Sequence, residues 1–378
     1  MINVENLRKH GYTVQWYLTD VAKYLALWSI HRASEKYGFN YVLGGGTALN
    51  DTYFPRERRR FSRDIDLYLV NIEPARFLNY VNSFLKEEGY FRTLNVIGRE
   101  VVVQGLIYEG VRRNNVVFKF RISVPSNFPF SRKLTDVLPA TIKREKKFNK
   151  WYMENKKKLP KTYEIEVTIF RGEKPHAHGF VEKQYSLPIL DLTDWINLPS
   201  PFTVNTFTLE DLVASKFDAI VSGMVAKGFI SGKIAGRGTV KVRDIYDVTL
   251  VFYGKLYSKE KLLESLNKLN LDVRYSVKAI RLSMLQTLVE PDMFRSLVEV
   301  VPSLRGNLKS WITMVLEAYN ETLNIHEHTP EDYIAYEIVT NRTVNLAYVK
   351  RKFGLSKSQL THVMSKLEKL GFIKNRGV

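Results

Sequence analysis

A chain of 378 residues, 45% hydrophobic and 12% aromatic, exceeds one comfortable core and is rich enough for two or three packed domains. It has no cysteine, which excludes disulfides and thiolate zinc sites, and no run of about 18 apolar residues, which excludes a hydrophobic spanning helix. Its 57 basic against 39 acidic side chains leave +18, a field that draws polyanions, nucleic acid first among them. Glu5 and Arg8 interrupt any signal-peptide core, so a soluble cytoplasmic protein without a membrane partner is expected.

Residues 13–37 show helical spacing, with Tyr17, Val21, Tyr24, Leu25 and Trp28 as the apolar stripe and Gly38 as the stop. Phe39 to Leu43 reads as a strand running into the turn Gly44-Gly45-Gly46-Thr47, where a helix is expected to start. Asp64 to Val70 is the next strand, and Pro74 opens a helix over 75–88 closed by Gly89. Strands are expected at 100–108 and 116–124, then a break at Pro125-Ser126-Asn127-Phe128-Pro129. Segment 131–161 holds eleven Lys or Arg against three acids, with Phe148, Trp151 and Tyr152 interleaved. Such a run is either a solvated helix face or an arm that stacks on and neutralises RNA. Tyr163 to Phe170 alternates strongly and reads as a strand.

Beyond Pro188 the pattern turns helical. Thr208 is expected to cap a helix, with Asp211 in the place of the usual capping-box Glu and Leu212, Val213, Phe217, Ile220 and Val221 inward. Further helices are expected at 242–254, 259–268, 273–288, 291–300 and 305–322, and His326-Glu327-His328-Thr329-Pro330 reads as a linker. The C-terminal segment reads as a winged helix-turn-helix: helices at Tyr333 to Thr340 and Leu346 to Phe353, a turn at Gly354-Leu355, a helix capped by Ser356, and a strand beginning at Gly371-Phe372-Ile373. Val349, Phe353, Leu355, Leu360, Val363, Met364, Leu367 and Leu370 would form its small core, and Lys357, Gln359, Thr361, His362 and Lys366 would face outward. From Thr343 onward it carries eight basic residues against one acidic.

The chemistry concentrates at the glycine turn and the strand after it. Side chains alternate along a strand, so Asp64 and Asp66 share one face. Adjacent carboxylates are costly unless one is protonated or a cation neutralises both, and a Mg²⁺ completed by triphosphate oxygens does the latter. The glycines admit close backbone approach to phosphates, with helix-start N–H groups facing them. Glu164 and Glu166 likewise share a face, with Ile165, Val167 and Ile169 on the other, as on a half-exposed edge strand. His176 and His178, like His326 and His328, read as surface turns rather than metal ligands.

Gly45-Gly46-Thr47-Ala48-Leu49 followed by Arg60, Ser62 and Asp64-Ile65-Asp66-Leu67 resembles the AbiEii/AbiGii-type nucleotidyltransferase toxins, a branch of the DNA polymerase β-like superfamily. The helix from Thr208 to Lys216 resembles the family's Ala-x-Lys helix, and Arg243-Asp244-Ile245-Tyr246-Asp247 its Arg/Lys-Asp-x-x-Asp signature. The resemblance implies an α+β fold with a mixed-sheet core over 1–187, a helical domain over 188–325 that completes the site, and the winged-helix-like segment over 330–378.

It gives Gly45, Gly46 and Thr47 the phosphate turn, and Arg60, Ser62 and Arg243 contacts to the nucleotide. It makes Asp64 and Asp66 metal ligands, turns Lys216 to the phosphates, and gives Asp244 and Asp247 an organising or base-like task. Superfamily members add a third carboxylate from a later strand, often an aspartate, which orients the attacking hydroxyl; Glu166 is the choice here, as a catalytic residue and third metal ligand, with Glu164 behind it. The implied activity is transfer of an NMP from an NTP to an acceptor with Mg²⁺, or Mn²⁺, as cofactor. RNA is the implied acceptor, the tRNA 3′ end being one candidate, in a toxin with a cognate antitoxin. The appended basic segment, which relatives usually lack, adds DNA as a further partner. The alternative is a DNA-binding regulator that uses the fold for ligand sensing or protein contacts.

Overall fold

The computed structural model describes residues 14–87, 94–95, 100–112, 115–124, 161–170, 177–186, 200–226 and 240–373. The chain divides into two compact units, Met1–Glu173 with Phe180–Thr206, and Lys174–Gly179 with Phe207–Val378. The basic segment 131–161 lies outside the described residues except for Lys161.

The first unit runs α1 (Val14–Tyr37), β1 (Asn40–Gly44), α2 (Gly45–Thr52), β2 (Asp64–Val70), α3 (Pro74–Glu87), β3 (Leu94–Asn95), β4 (Glu100–Arg112), β5 (Asn115–Val124), β6 (Lys161–Phe170), β7 (Phe180–Tyr185) and β8 (Phe202–Phe207). The strands form one eight-stranded sheet in the order β3-β4-β5-β6-β2-β1-β8-β7. It is mixed, because β2 pairs antiparallel with β1 and parallel with β6, while β1 pairs parallel with β8. Alternation decides the faces. Ile65, Leu67, Ile165, Val167 and Ile169 are buried, and each such side chain stabilises the fold by about 1.5–3 kcal/mol. On that face Phe77 of α3 packs against Phe118 of β5, with ring centroids 6.0 Å apart.

β7 and β8 were not expected from the sequence, and they explain a second difference. Instead of one buried stripe, α1 is buried all round from Val21 to Leu27. The two strands supply the second wall: Tyr24 stacks on Tyr185 and donates to the Ser200 carbonyl at 2.9 Å. Lys23 is tolerated there because Asp51 lies 2.8 Å and Asp20 3.4 Å from its ammonium, and the Tyr185 hydroxyl also donates to Asp51 at 2.9 Å.

The second unit is helical, with α4 (Leu209–Ala226), α5 (Val242–Tyr253), α6 (Lys259–Lys268), α7 (Val273–Val289), α8 (Pro291–Val300), α9 (Leu308–Glu321), α10 (Pro330–Asn341), α11 (Leu346–Phe353) and α12 (Lys357–Lys369). Thr208 caps α4 as expected, its Oγ1 accepting from the Asp211 N–H at 3.4 Å. Asp211 also accepts from the N–H groups of Ala177 (3.0 Å) and His178 (3.1 Å) and from the Ser265 hydroxyl (2.8 Å). It therefore ties residues 177–178 and α6 to the start of α4.

Residues 326–330, read above as a linker, are packed. Arg281 of α7 is fully buried and donates to the carbonyls of Glu327 (2.9 Å), Thr322 (3.0 Å) and His326, and to Thr322 Oγ1 (2.7 Å). Its ionic partner is Asp332 of α10 at 3.4 Å, also fully buried. His328 lies 3.0 Å from the Tyr319 hydroxyl and 3.3 Å from Asp332 rather than in a surface turn.

At the other end of this segment, Gly371-Phe372-Ile373 does not begin a strand. Gly371 adopts φ +79° and its N–H bonds to Glu368 O, while Phe372 N–H bonds to Leu367 O at 3.0 Å, a glycine-terminated helix end that turns Phe372 into the core. Among the described residues no helix is long and apolar enough to cross a membrane.

Candidate active site

β1 delivers the chain to Gly45, which takes φ +65° at the start of α2. The turn must be glycine for space as well as conformation, because a Cβ there would lie 1.8 Å from Asp66 Oδ2. The next residue is equally confined: a Cβ on Gly46 would lie 2.5 Å from an Arg60 guanidinium nitrogen and 3.3 Å from Ser62 Oγ. Arg60 is buried, its backbone N–H donating to Asn50 Oδ1 (3.1 Å) and its guanidinium to the Phe61 carbonyl (3.1 Å). Asn50 Nδ2 in turn donates to the Gly46 carbonyl at 2.9 Å. Thr47 Oγ1 donates to the Asp64 carbonyl (2.5 Å) and lies 3.1 Å from Ser62 Oγ. Gly45, Gly46, Thr47, Arg60, Ser62, Asp64 and Asp66 are thus gathered at one end of β1 and β2.

Glu166 joins this face through the sheet. Its Cα pairs with Asp64, and Thr168 with Asp66, across the parallel β2–β6 ladder. Residues opposite one another project to the same side, so Asp64, Asp66 and Glu166 share the face turned away from Ile65 and Val167. Glu164 lies two residues earlier, before the pairing with β2 begins, and Lys119 binds its carboxylate at 3.1 Å. Arg112 of β4 donates to Glu166 at 2.9 Å. Sequence reasoning missed Arg112, which has no motif. It also missed Asn50, although an Asn inside a short helix signals a side chain with hydrogen bonds to make.

The second unit brings together the other sequence-marked residues. Lys216 Nζ of α4 lies 2.6 Å from Asp244 Oδ1 and 3.4 Å from Asp247 Oδ2 of α5. The two aspartates sit three apart, hence on one helix face, and both are buried. Both carboxylates hold the Lys216 ammonium in place. Arg243 adjoins them at the start of α5, half-buried.

The donor set of the first unit suits a hard divalent cation bound together with phosphate. Among the described residues no three His, Asp or Glu side chains form a metal cage. Mg²⁺ does not need one, since it takes one or two carboxylates and leaves its other positions to phosphate and water. Asp64 and Asp66 on one side of β2, beside a turn where Gly45 keeps space that a Cβ would fill, meet that description.

In comparison with known protein families, residues 30–297 match the family described as nucleotidyl transferase AbiEii toxin, type IV toxin–antitoxin system. No curated protein matches the chain. The family match contains every residue of the two clusters, covers well over half of the chain and stops within α8. The chain belongs to the AbiEii family of nucleotidyl transferase toxins of type IV toxin–antitoxin systems.

Proposed function

We propose that the protein is an NTP-dependent nucleotidyltransferase that moves an NMP onto RNA in the cytoplasm, with Mg²⁺ as cofactor, a tRNA 3′ end as one candidate acceptor and a cognate antitoxin as partner. The observation that carries this reading is the shared face of Asp64, Asp66 and Glu166 beside the Gly45–Thr47 turn. The +18 charge supports a polyanionic acceptor. A bound divalent ion would be held by Asp64 and Asp66, and would neutralise charge on the phosphates.

The chain's own residues do the rest. The turn at Gly45 and Gly46 admits the triphosphate close to the backbone, and Thr47 and Ser62 hold the turn against β2. Arg60, fixed against Gly46, places a cation at the phosphates, and in the second unit Asp244 and Asp247 orient the Lys216 ammonium. Glu166, steadied by Arg112, orients the attacking hydroxyl and takes its proton as the new phosphodiester bond forms.

The test is incubation of the protein with Mg²⁺, each labelled NTP and total cellular RNA, with and without a chelator. Label in an RNA band that vanishes with chelator is expected. Label on protein alone would move the acceptor to a protein hydroxyl, and no label with any NTP would sink the reading.

A further inference from the structure

The family match ends before α9, and the last three described helices form a unit of recognisable build. α11 and α12 are joined by the three-residue turn Gly354-Leu355-Ser356, and both pack under α10 through Val349, Val363 and Leu367, all buried. Ser356 caps α12 and exchanges hydrogen bonds with Gln359 in a capping box, which occupies Gln359 at its own helix start. What α12 leaves outward is Lys357, Ser358, Thr361, His362, Ser365 and Lys369, all exposed. None is acidic, and the helix's single acid, Glu368, is half-buried beside that face.

Charge on the neighbouring helix sorts into engaged and available cations. Lys352 sits 4.1 Å above the Tyr333 ring, and Lys366 of α12 lies 3.8 Å from Glu331. Lys350 and Arg351 of α11 are exposed, as are Lys357 and Lys369 at the two ends of α12. The result is a polar helix face of hydrogen-bonding side chains flanked by four exposed cations.

We propose that this helix-turn-helix docks on duplex DNA, with α12 in the major groove and Lys350, Arg351, Lys357 and Lys369 on flanking phosphates. The B-form major groove, about 12 Å wide, admits a helix, whereas the A-form groove of an RNA duplex is too narrow for side chains to read. α12, with 13 residues, is about 20 Å long, enough to present Ser358, Thr361, His362 and Ser365 to base edges over a few pairs. The module is not tethered loosely. Asp332 at the start of α10 neutralises Arg281 of α7, and Gln286 of α7 donates to the Leu370 carbonyl at 3.3 Å. DNA bound by α12 is therefore held by the same compact unit that contains Lys216, Asp244 and Asp247. The inference is independent of the proposed transfer reaction, because no residue of either cluster takes part in it.

The experiment is fluorescence anisotropy of full-length protein with a labelled pool of randomised 20-base-pair DNA duplexes, as a salt series from about 50 to 200 mM. The comparison is a variant carrying Lys350→Gln, Arg351→Gln, Lys357→Gln and Lys369→Gln, whose thermal midpoint should match the parent. Each neutralised phosphate contributes about 0.9 to the logarithmic salt slope, so the variant should lose roughly 3–4 from the slope and about a hundredfold or more in low-salt affinity. A second variant, Thr361→Ala with His362→Ala, should keep the slope and change which sequences are enriched from the pool. The proposal falls if the parent does not bind the duplexes at low salt, or if the fourfold variant binds them with parental affinity and slope. It falls equally if an RNA duplex of the same length binds as tightly and loses as much on substitution.

Discussion

Asp64 and Glu166 stand opposite one another on adjacent parallel strands, a single register pair that puts both carboxylates on the face Asp66 also occupies. Asp64→Asn, Asp66→Asn and Glu166→Gln should each lower NMP transfer at least about a hundredfold, since roughly 3 kcal/mol of transition-state stabilisation corresponds to two decades. The aspartate variants should melt at or slightly above the parent temperature, because removing one of two neighbouring carboxylates relieves repulsion. Transfer assays with matched thermal melts check this. Near-parental turnover in either aspartate variant would remove the pair from the mechanism.

Gly45→Ala offers a test that removes no charge. The new methyl would lie 1.8 Å from Asp66 Oδ2, at a φ of +65° that strains any L-residue by about 1 kcal/mol or more. Asp66 must move, so transfer should fall steeply while the melting temperature drops by only a few degrees. Gly46→Ala should displace Arg60 instead and raise KM for the NTP. Kinetics on the two variants would separate the effects; parental kinetics in Gly45→Ala would mean the close approach is not needed.

Lys216→Ala should cost folding as well as activity. It removes the ammonium from between two buried carboxylates, and breaking such a pair costs about 3–5 kcal/mol. Lys216→Met combined with Asp244→Asn should recover much of that stability without recovering transfer. Denaturant unfolding alongside the transfer assay tests it. Stability unchanged in Lys216→Ala would show that the aspartates do not depend on the lysine.

Asp20 gives the first unit a pH dependence of known sign. Burial raises its pKa to about 6; Lys23 opposes the rise and Asp51 adds to it, and one lysine between two aspartates leaves an excess negative charge. The folded pKa lies above the unfolded 3.8, so this contribution to stability is complete below about pH 4 and is lost as pH rises through about 6. Asp20→Asn cannot ionise. Its melting temperature should gain on the parent between pH 5 and pH 8, and a gap that stays constant over that range would refute the assignment.

Truncation before residue 330 should not yield a clean catalytic fragment. Removing Asp332 leaves the buried Arg281 guanidinium without its carboxylate, again a loss of about 3–5 kcal/mol. The shortened protein should aggregate or melt well below the parent, whereas the exposed α11 and α12 substitutions should not. A soluble truncation with parental melting would show that the packing at Arg281 is dispensable.

The two clusters were legible because each is a local pattern: a glycine turn before an Asp-x-Asp strand, and two aspartates three apart on a helix. What brings their members together was less so. Choosing Glu166 over Glu164 rested on resemblance, since alternation puts both on one face and only the β2–β6 register distinguishes them. β7 and β8 escaped because six-residue strands with mixed polar content carry little periodic signal. Without them α1 reads as a surface helix, and the buried Lys23 among its apolar residues goes unexplained. The packed corner at 326–330 was hidden for a different reason. His-Glu-His-Thr-Pro has a loop composition, and the guanidinium that uses its carbonyls comes from α7, more than forty residues earlier.

The bond between Arg281 and Asp332 also sets an order of events in time. The two are 51 residues apart, so during synthesis at roughly 5–20 residues per second the carboxylate follows the guanidinium by about 3–10 s. Until it emerges, α7 cannot bury its central charge, and the helices that carry Lys216 and Asp244 lack their finished support. A prematurely terminated chain would then contain every residue of both clusters and still be incomplete. A chain that stops before Asp332 should therefore be less stable, and less active in transfer, than one that continues past it.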